Sequence, residues 1–161
     1  MKTKPRIAIL ILMTLLLSLS LAGCNLYGDA PPVAEEDEIK VLINLDLNED
    51  IGLLLTKYTV NGKEGMSGNS NADKSMLQRD STNLVWSYNK EFLDNPANIV
   101  DVTLQFIIVT EYFEPDYEFD YPDEYLIPVD AISFSAEFGE TYYVTITGDQ
   151  VNGYQADIEE S

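Results

Sequence analysis

Along residues 39–47 apolar and polar positions alternate. Ile39, Val41, Ile43, Leu45 and Leu47 fall on one side, with Lys40, Asn44 and Asp46 on the other. A period of two predicts a strand with one buried face. Residues 51–60 form a second β-rich run that ends at Asn61-Gly62, a dipeptide suited to closing a two-residue hairpin. Leu84, Trp86 and Tyr88 alternate in a third run. Val100, Val102, Leu104, Phe106 and Ile108 mark the longest, with Asp101, Thr103 and Gln105 facing out. At its end Ile107 and Val109 make both faces apolar, as a central strand requires. Ile132, Phe134, Ala136 and Phe138 then alternate with Ser133, Ser135 and Glu137. Tyr142, Val144 and Ile146 alternate with Thr141, Tyr143, Thr145 and Thr147. Residues 64–81 are polar and rich in Gly, Ser and Asn, which predicts a long loop, and KEFLDNPANI (90–99) predicts a turn. Six or seven short strands between turns, with no amphipathic helix of useful length, predict an all-β fold. The expected form is a single antiparallel β-sandwich of about seven strands.

One stretch narrows the class. In FGETYYVTITG, Phe138 to Gly148, a glycine is followed three residues later by a tyrosine and then by alternating apolar residues. It resembles the corner at which a strand begins in fibronectin type III and related immunoglobulin-like domains. The resemblance implies that Tyr142 packs inward and that its hydroxyl bonds back to the backbone. Carboxypeptidase-regulatory-type sandwiches carry similar text, and no Trp or Cys pair of the immunoglobulin kind aligns, so the strand topology stays open.

The first residues follow a different pattern. Lys2, Lys4 and Arg6 precede an apolar run, Ile7 to Leu21, interrupted only by Thr14, Ser18 and Ser20. A basic start, a short apolar core and small residues at a cleavage point describe an export signal, and the run is short for a membrane-spanning helix. Leu21-Ala22-Gly23-Cys24 resembles the lipobox of bacterial lipoproteins. That resemblance implies cleavage before Cys24, the only cysteine in the chain, and lipid on its thiol. Two acyl chains suffice for stable attachment where one is marginal. The expected organisation is a signal peptide over 1–23 and an acidic, Pro-containing tether over 24–38. A β-sandwich over 39–150 and a loose acidic tail over 151–161 complete it. The expected location is the bacterial cell envelope, outside the cytoplasm, with the membrane as partner through Cys24.

Charge removes partners. The chain carries 9 basic and 28 acidic residues, net −19. Three of the bases lie in the signal, and none follows Lys90. Such a surface repels phosphate backbones, which excludes nucleic acid, and it attracts cations. Anionic headgroups are repelled too, so the lipid itself has to do the anchoring.

Candidate chemistry is thin. With no histidine there is no His-based triad, base or metal ligand. Ser87 and Lys90 fit S-x-x-K but lack the helix and companion motifs which that chemistry needs. No cofactor is predicted. Calcium is the one ion for which the sequence offers candidate oxygens. Asp46, Asn48 and Asp50 open like an EF-hand loop, but its sixth and twelfth positions hold Ile51 and Lys57 where Gly and Glu are needed. Asn69, Asn71, Asp73 and Asp80 are a second oxygen-rich set, with Lys74 among them. The least generic segment is Glu111 to Tyr125, with six rings, seven acids and no base. It supplies the candidate binding residues Tyr112, Tyr117, Phe119 and Tyr121, with Glu118 and Asp120. Rings beside carboxylates suit a cationic peptide, a glycan or another envelope protein. Against this stands burial, the commoner use of aromatic side chains. The sequence thus points to a lipid-anchored, non-catalytic binding or spacer module. The alternative is a small envelope hydrolase acting on glycans through paired carboxylates.

Overall fold

β1 (Glu38–Leu47) realises the first alternation: Ile39, Val41, Ile43, Leu45 and Leu47 are all buried. The computed structural model describes residues 31–94, 96–112 and 121–159. β1 pairs antiparallel with β4 (Leu84–Asn89) and parallel with β8 (Thr141–Asp149), and β9 (Gly153–Ile158) pairs with β8. The first sheet therefore runs β4-β1-β8-β9. The second is built on β5 (Ile99–Val109). It pairs with β2 (Leu53–Val60), which in turn carries β3 (Lys63–Asn69). Both β6 (Leu126–Pro128) and β7 (Ile132–Glu137) also pair with β5. Single 3₁₀ turns lie at Lys90–Phe92 and Asp123–Tyr125.

The two sheets close over one apolar core. The odd positions of β1 meet Trp86 and Tyr88, Val100 to Ile108 of β5 at even positions, and Val144 and Ile146 of β8. This is an all-β sandwich. It has nine strands rather than about seven, and one of its pairings is parallel. The parallel pair arises because the corner before β8 lies beside the start of β1. There the Gly139 N–H donates to the Glu38 carbonyl (2.8 Å) and the Lys40 N–H to that of Glu140 (3.2 Å).

The extra strands fall where polar sequence hides them. Half of the expected long loop is β3, KEGMSGN, recruited by the Asn61-Gly62 hairpin. Both turn residues have positive φ (50° and 81°), as a type I′ turn demands. Gly65 is required within it, because a Cβ there would lie 2.3 Å from the ring of Tyr58. The expected loose tail is also corrected. Tyr154 is buried and Ala156 and Ile158 pack on the core, so residues 153–158 form β9. At the other end the folded unit begins at Val33 rather than Ile39. The Ala34 N–H donates to Thr141 Oγ1 (2.9 Å), and Lys40 Nζ donates to the Val33 carbonyl (2.8 Å). The Asp37 carbonyl accepts the Lys90 N–H (2.8 Å). Backbone bonds and not apolar contacts tie this stretch down, which is why its composition read as tether.

The corner tyrosine behaves as the resemblance implied. The Glu137 backbone N–H donates to the Tyr142 hydroxyl (2.8 Å), and the ring lies 5.1 Å from that of Phe134 between centroids. Tyr142 is half-buried against the core. Removing an aromatic side chain from a packed site costs about 3 kcal/mol, whereas losing only the hydroxyl bond costs about 1 kcal/mol. Denaturant unfolding should therefore rank wild type above Tyr142→Phe and Tyr142→Phe well above Tyr142→Ala. Equal stability of Tyr142→Ala and wild type would refute the packed corner.

Candidate functional site

Strand direction sorts the loops into two ends. The chain comes in at the end where β1 starts. That end also carries the Asn61-Gly62 turn, residues 90–98 and the corner 138–140, joined by bonds such as Phe138 N–H to the Asn98 carbonyl (3.0 Å). The opposite end carries residues 48–52, 70–83, 110–125 and 149–153. It is tied together by the Ile51–Leu77 bridge and by the Gly52 N–H donating to the Val109 carbonyl (2.7 Å).

The aromatic-acidic segment leaves the sandwich at this second end, and both of its stems are fixed. The Thr110 N–H donates to the Tyr125 carbonyl (3.0 Å). The Glu111 carbonyl passes so close to Gly52 that any Cβ there would collide with it. Leu53, Leu55, Ile107 and Val109 form a second apolar cluster on the outer face of the second sheet, and Tyr121 completes it. Met66, Tyr125 and Leu126 pack against its rim. This corrects one candidate: Tyr121 is 6% exposed and covers the face that Ile107 and Val109 leave apolar. Tyr112 is half-buried at the first stem. Tyr117, Glu118, Phe119 and Asp120, like Cys24, lie outside the described residues. The two-sided apolar end of β5 was the signal for Tyr121, since that face had to be covered by something.

The oxygens considered for calcium serve the loops themselves. Asn48 Nδ2 donates to Asp149 Oδ2 (2.8 Å), and Asp50 Oδ1 accepts the Arg79 N–H (2.9 Å). Glu49 Oε1 accepts the Gln150 N–H (2.7 Å) and the Tyr154 hydroxyl. Asn71 Nδ2 donates to Ser75 Oγ and to the Met76 carbonyl, and Asp73 Oδ1 accepts from Ser75. Among the described residues no group of three or more His, Cys, Asp or Glu is placed to hold a metal ion.

Two concavities carry charge. One, of about 380 Å³, is lined by Glu49, Asp50, Gln78, Arg79 and Asp80 at the loop end. The other, of about 630 Å³, is a shallow groove on the outer face of the second sheet, with Lys57, Glu64, Met66, Thr103 and Gln105 along it. Glu64 is the one carboxylate lining that groove. A carboxylate acid catalyst needs its pKa raised. Asp73 and Asp149 are shifted the other way, Asp73 by the hydroxyl and N–H of Ser75 and Asp149 by its turn. Burial and the neighbouring Glu49 push the Tyr154 hydroxyl up.

No family model and no curated protein matches the chain. Among solved structures it is similar to a non-hemolytic pneumolysin from Streptococcus pneumoniae strain ST306, at 11% identity and a TM-score of 0.37. That match covers 77% of this chain but spans only 24% of the pneumolysin. It is also similar to the membrane-binding domain of pneumolysin, at 9% identity and a TM-score of 0.32, over 77% of this chain and 97% of that domain. Likeness at this level transfers nothing from those proteins to this one.

Two outcomes test the geometry. Tyr121→Ala should cost about 3 kcal/mol in unfolding free energy, the scale of an aromatic truncation in a packed cluster. A stability equal to wild type would return Tyr121 to the surface. Asp149 is held to about 2, first by the Asn152 side chain, then by the Asn152 N–H and by Asn48. Its folded value lies below its unfolded one, so it favours the folded turn above the unfolded value of 3.8 and ceases to do so as the pH falls through about 2. The amide shifts of Val151 and Asn152, followed by NMR, should titrate near the lower value, and a midpoint at 3.8 would show that the turn does not hold the carboxylate.

Proposed function

We propose that the chain is a lipid-anchored protein of the bacterial envelope whose non-catalytic sandwich, of immunoglobulin-like kind, acts as a binding or spacer module outside the cytoplasm. The observation that carries this reading is Leu21-Ala22-Gly23-Cys24 behind a basic, apolar leader. Its distance from the folded unit supports it. Nine residues separate Cys24 from Val33, a leash of at most about 30 Å. The end at which β1 starts is then the membrane-proximal one. The ten residues of β1 carry the opposite loops roughly 30 Å further out.

The tyrosine corner at Tyr142 supports the immunoglobulin-like kinship. The stems that fix residues 110 and 125 at the outer end support presentation of the segment between them. Tyr112, Tyr117 and Phe119, with Glu118 and Asp120, are the residues proposed to meet a cationic partner there. Tyr121 serves as their anchor.

Cells expressing the protein and fed labelled fatty acid should incorporate label into the wild type and lose it in Cys24→Ser, which should also leave the membrane fraction. Label retained in Cys24→Ser, or absent from both, would sink the anchor.

A further inference from the structure

The outer face of the first sheet differs in chemistry from the rest of the surface, and β1 sets its centre. Leu42 points away from the core and is nevertheless 0% exposed. Its cross-strand neighbours, Val85 on β4 and Tyr143 on β8, flank it, and each of those is 38% exposed. The next row on one side is Ser87, Lys40 and Thr141, and on the other side Asn44 lies beside Thr145. Lys40 sits 3.0 Å from the Glu38 carboxylate. From Ser87 to Thr145 this band therefore presents no unpaired charge, on a chain that carries 28 acids. Asp46, Asp157 and Glu159 stand only at its border.

What such a band recognises follows from its groups. Hydroxyls donate and accept at once, and an amide offers both functions side by side. Thr141 Oγ1 accepts the Ala34 N–H and Asn44 Oδ1 the Asn83 N–H, which leaves the Thr141 hydroxyl proton and the Asn44 amide protons for donation. Beside them stands a half-exposed ring on an apolar row. This pairing of ring and hydroxyl-type donors suits a ligand of many hydroxyls with apolar ring faces. Charge narrows the choice further. A cationic partner is drawn to the acids elsewhere, an anionic one is repelled, and a second copy brings a net charge of −19 against its own kind. An uncharged partner alone meets no electrostatic cost in choosing the one uncharged face.

We propose that the band through Val85, Leu42 and Tyr143 is a docking surface for an uncharged polysaccharide. It deepens the binding reading given above and rests on it, but it does not depend on lipid at Cys24. The test is retention of the purified full chain on insoluble cellulose and on chitin, with polygalacturonate as the anionic arm. Tyr143→Ala and Thr145→Glu alter the band at half-exposed positions, and Gln105→Glu places a charge on the outer face of the other sheet. Far-UV spectra and melting curves are compared first, so that only folded variants are scored.

The expected result is retention on at least one neutral polymer and none on polygalacturonate, insensitive to salt up to about 0.5 M. Both band variants should weaken it roughly tenfold, the scale of one lost ring contact or one buried charge. Gln105→Glu and Cys24→Ser should bind as wild type does. Four outcomes overturn the proposal: no retention on either neutral polymer, equal retention by the band variants, retention that salt abolishes, or a concentration-dependent dimer that Thr145→Glu dissolves. The last would give the face to a second copy. Failed fatty-acid labelling with intact polysaccharide binding removes the anchor and leaves this site standing.

Discussion

The odd face of β1 is the constraint on which the sandwich depends. Five branched aliphatic side chains in ten residues can be hidden from water only beneath a second layer. β5, with Val100, Val102, Leu104, Phe106 and Ile108 at its even positions, supplies that layer. Fully burying one such side chain contributes about 1.5–3 kcal/mol. The two strands together therefore outweigh any local preference along the chain. β1 is paired on both edges, to β4 and to β8, and β5 is paired to β2 on one edge and to β6 and β7 on the other. Each is the middle of its sheet because each carries the longest apolar face.

Several weaker features are consequences of this frame. β3 has no apolar alternation and two glycines, and it is a strand because the hairpin delivers it to β2. The segment 33–37 has no apolar face, and its position follows from backbone bonds to β8 and to Lys90. The frame also bears local costs. Thr56 Oγ1 and Trp86 Nε1 are buried with no hydrogen-bond partner among the described residues. Each such atom costs about 1–3 kcal/mol. The rings of Tyr58 and Tyr88, at 5.5 Å and 6.2 Å from that of Trp86, offset part of this at the indole.

What the sequence makes legible is whatever burial writes with a fixed period. β1, β2, β4, β5, β7 and β8 are visible because apolar residues recur at every second position. The double-faced end of β5 is visible too, although not which ring would cover it. Tyr121 was indistinguishable in the text from Tyr117 and Phe119, because all three alternate with acids and only three-dimensional placement separates a covering ring from a presented one. β9 was hidden for the opposite reason. Its inward residues are a tyrosine, an alanine and an isoleucine among acids, too few for a pattern, and its place is secured by the Asp149 turn and the Glu49–Tyr154 bond. A parallel pairing such as β1 with β8 is not written in either strand. It comes from the corner at 138–140, whose bonds to Glu38 and Lys40 join positions about a hundred residues apart.

The distribution of charge serves the same architecture. A sandwich has open edges, and an open edge offers backbone N–H and C=O groups to any other strand. β9 closes one side with Asp157 and Glu159, β7 ends at Glu137, and β3 starts with Lys63 and Glu64. Charged side chains at these positions oppose strand addition from another molecule. A net charge of −19 keeps copies apart at long range as well. Under that pressure an uncharged stretch on an outer sheet face is the exception that calls for a reason. Solubility favours acids at Ser87, Asn44 and Thr145 as much as at Asp46 and Asp157, and edge protection does not reach the middle of a sheet. The row through Leu42 lies between the β4 and β8 partners of the same strand that organises the core. The rigidity that holds the sandwich together is therefore also what keeps this face flat and its side chains in register.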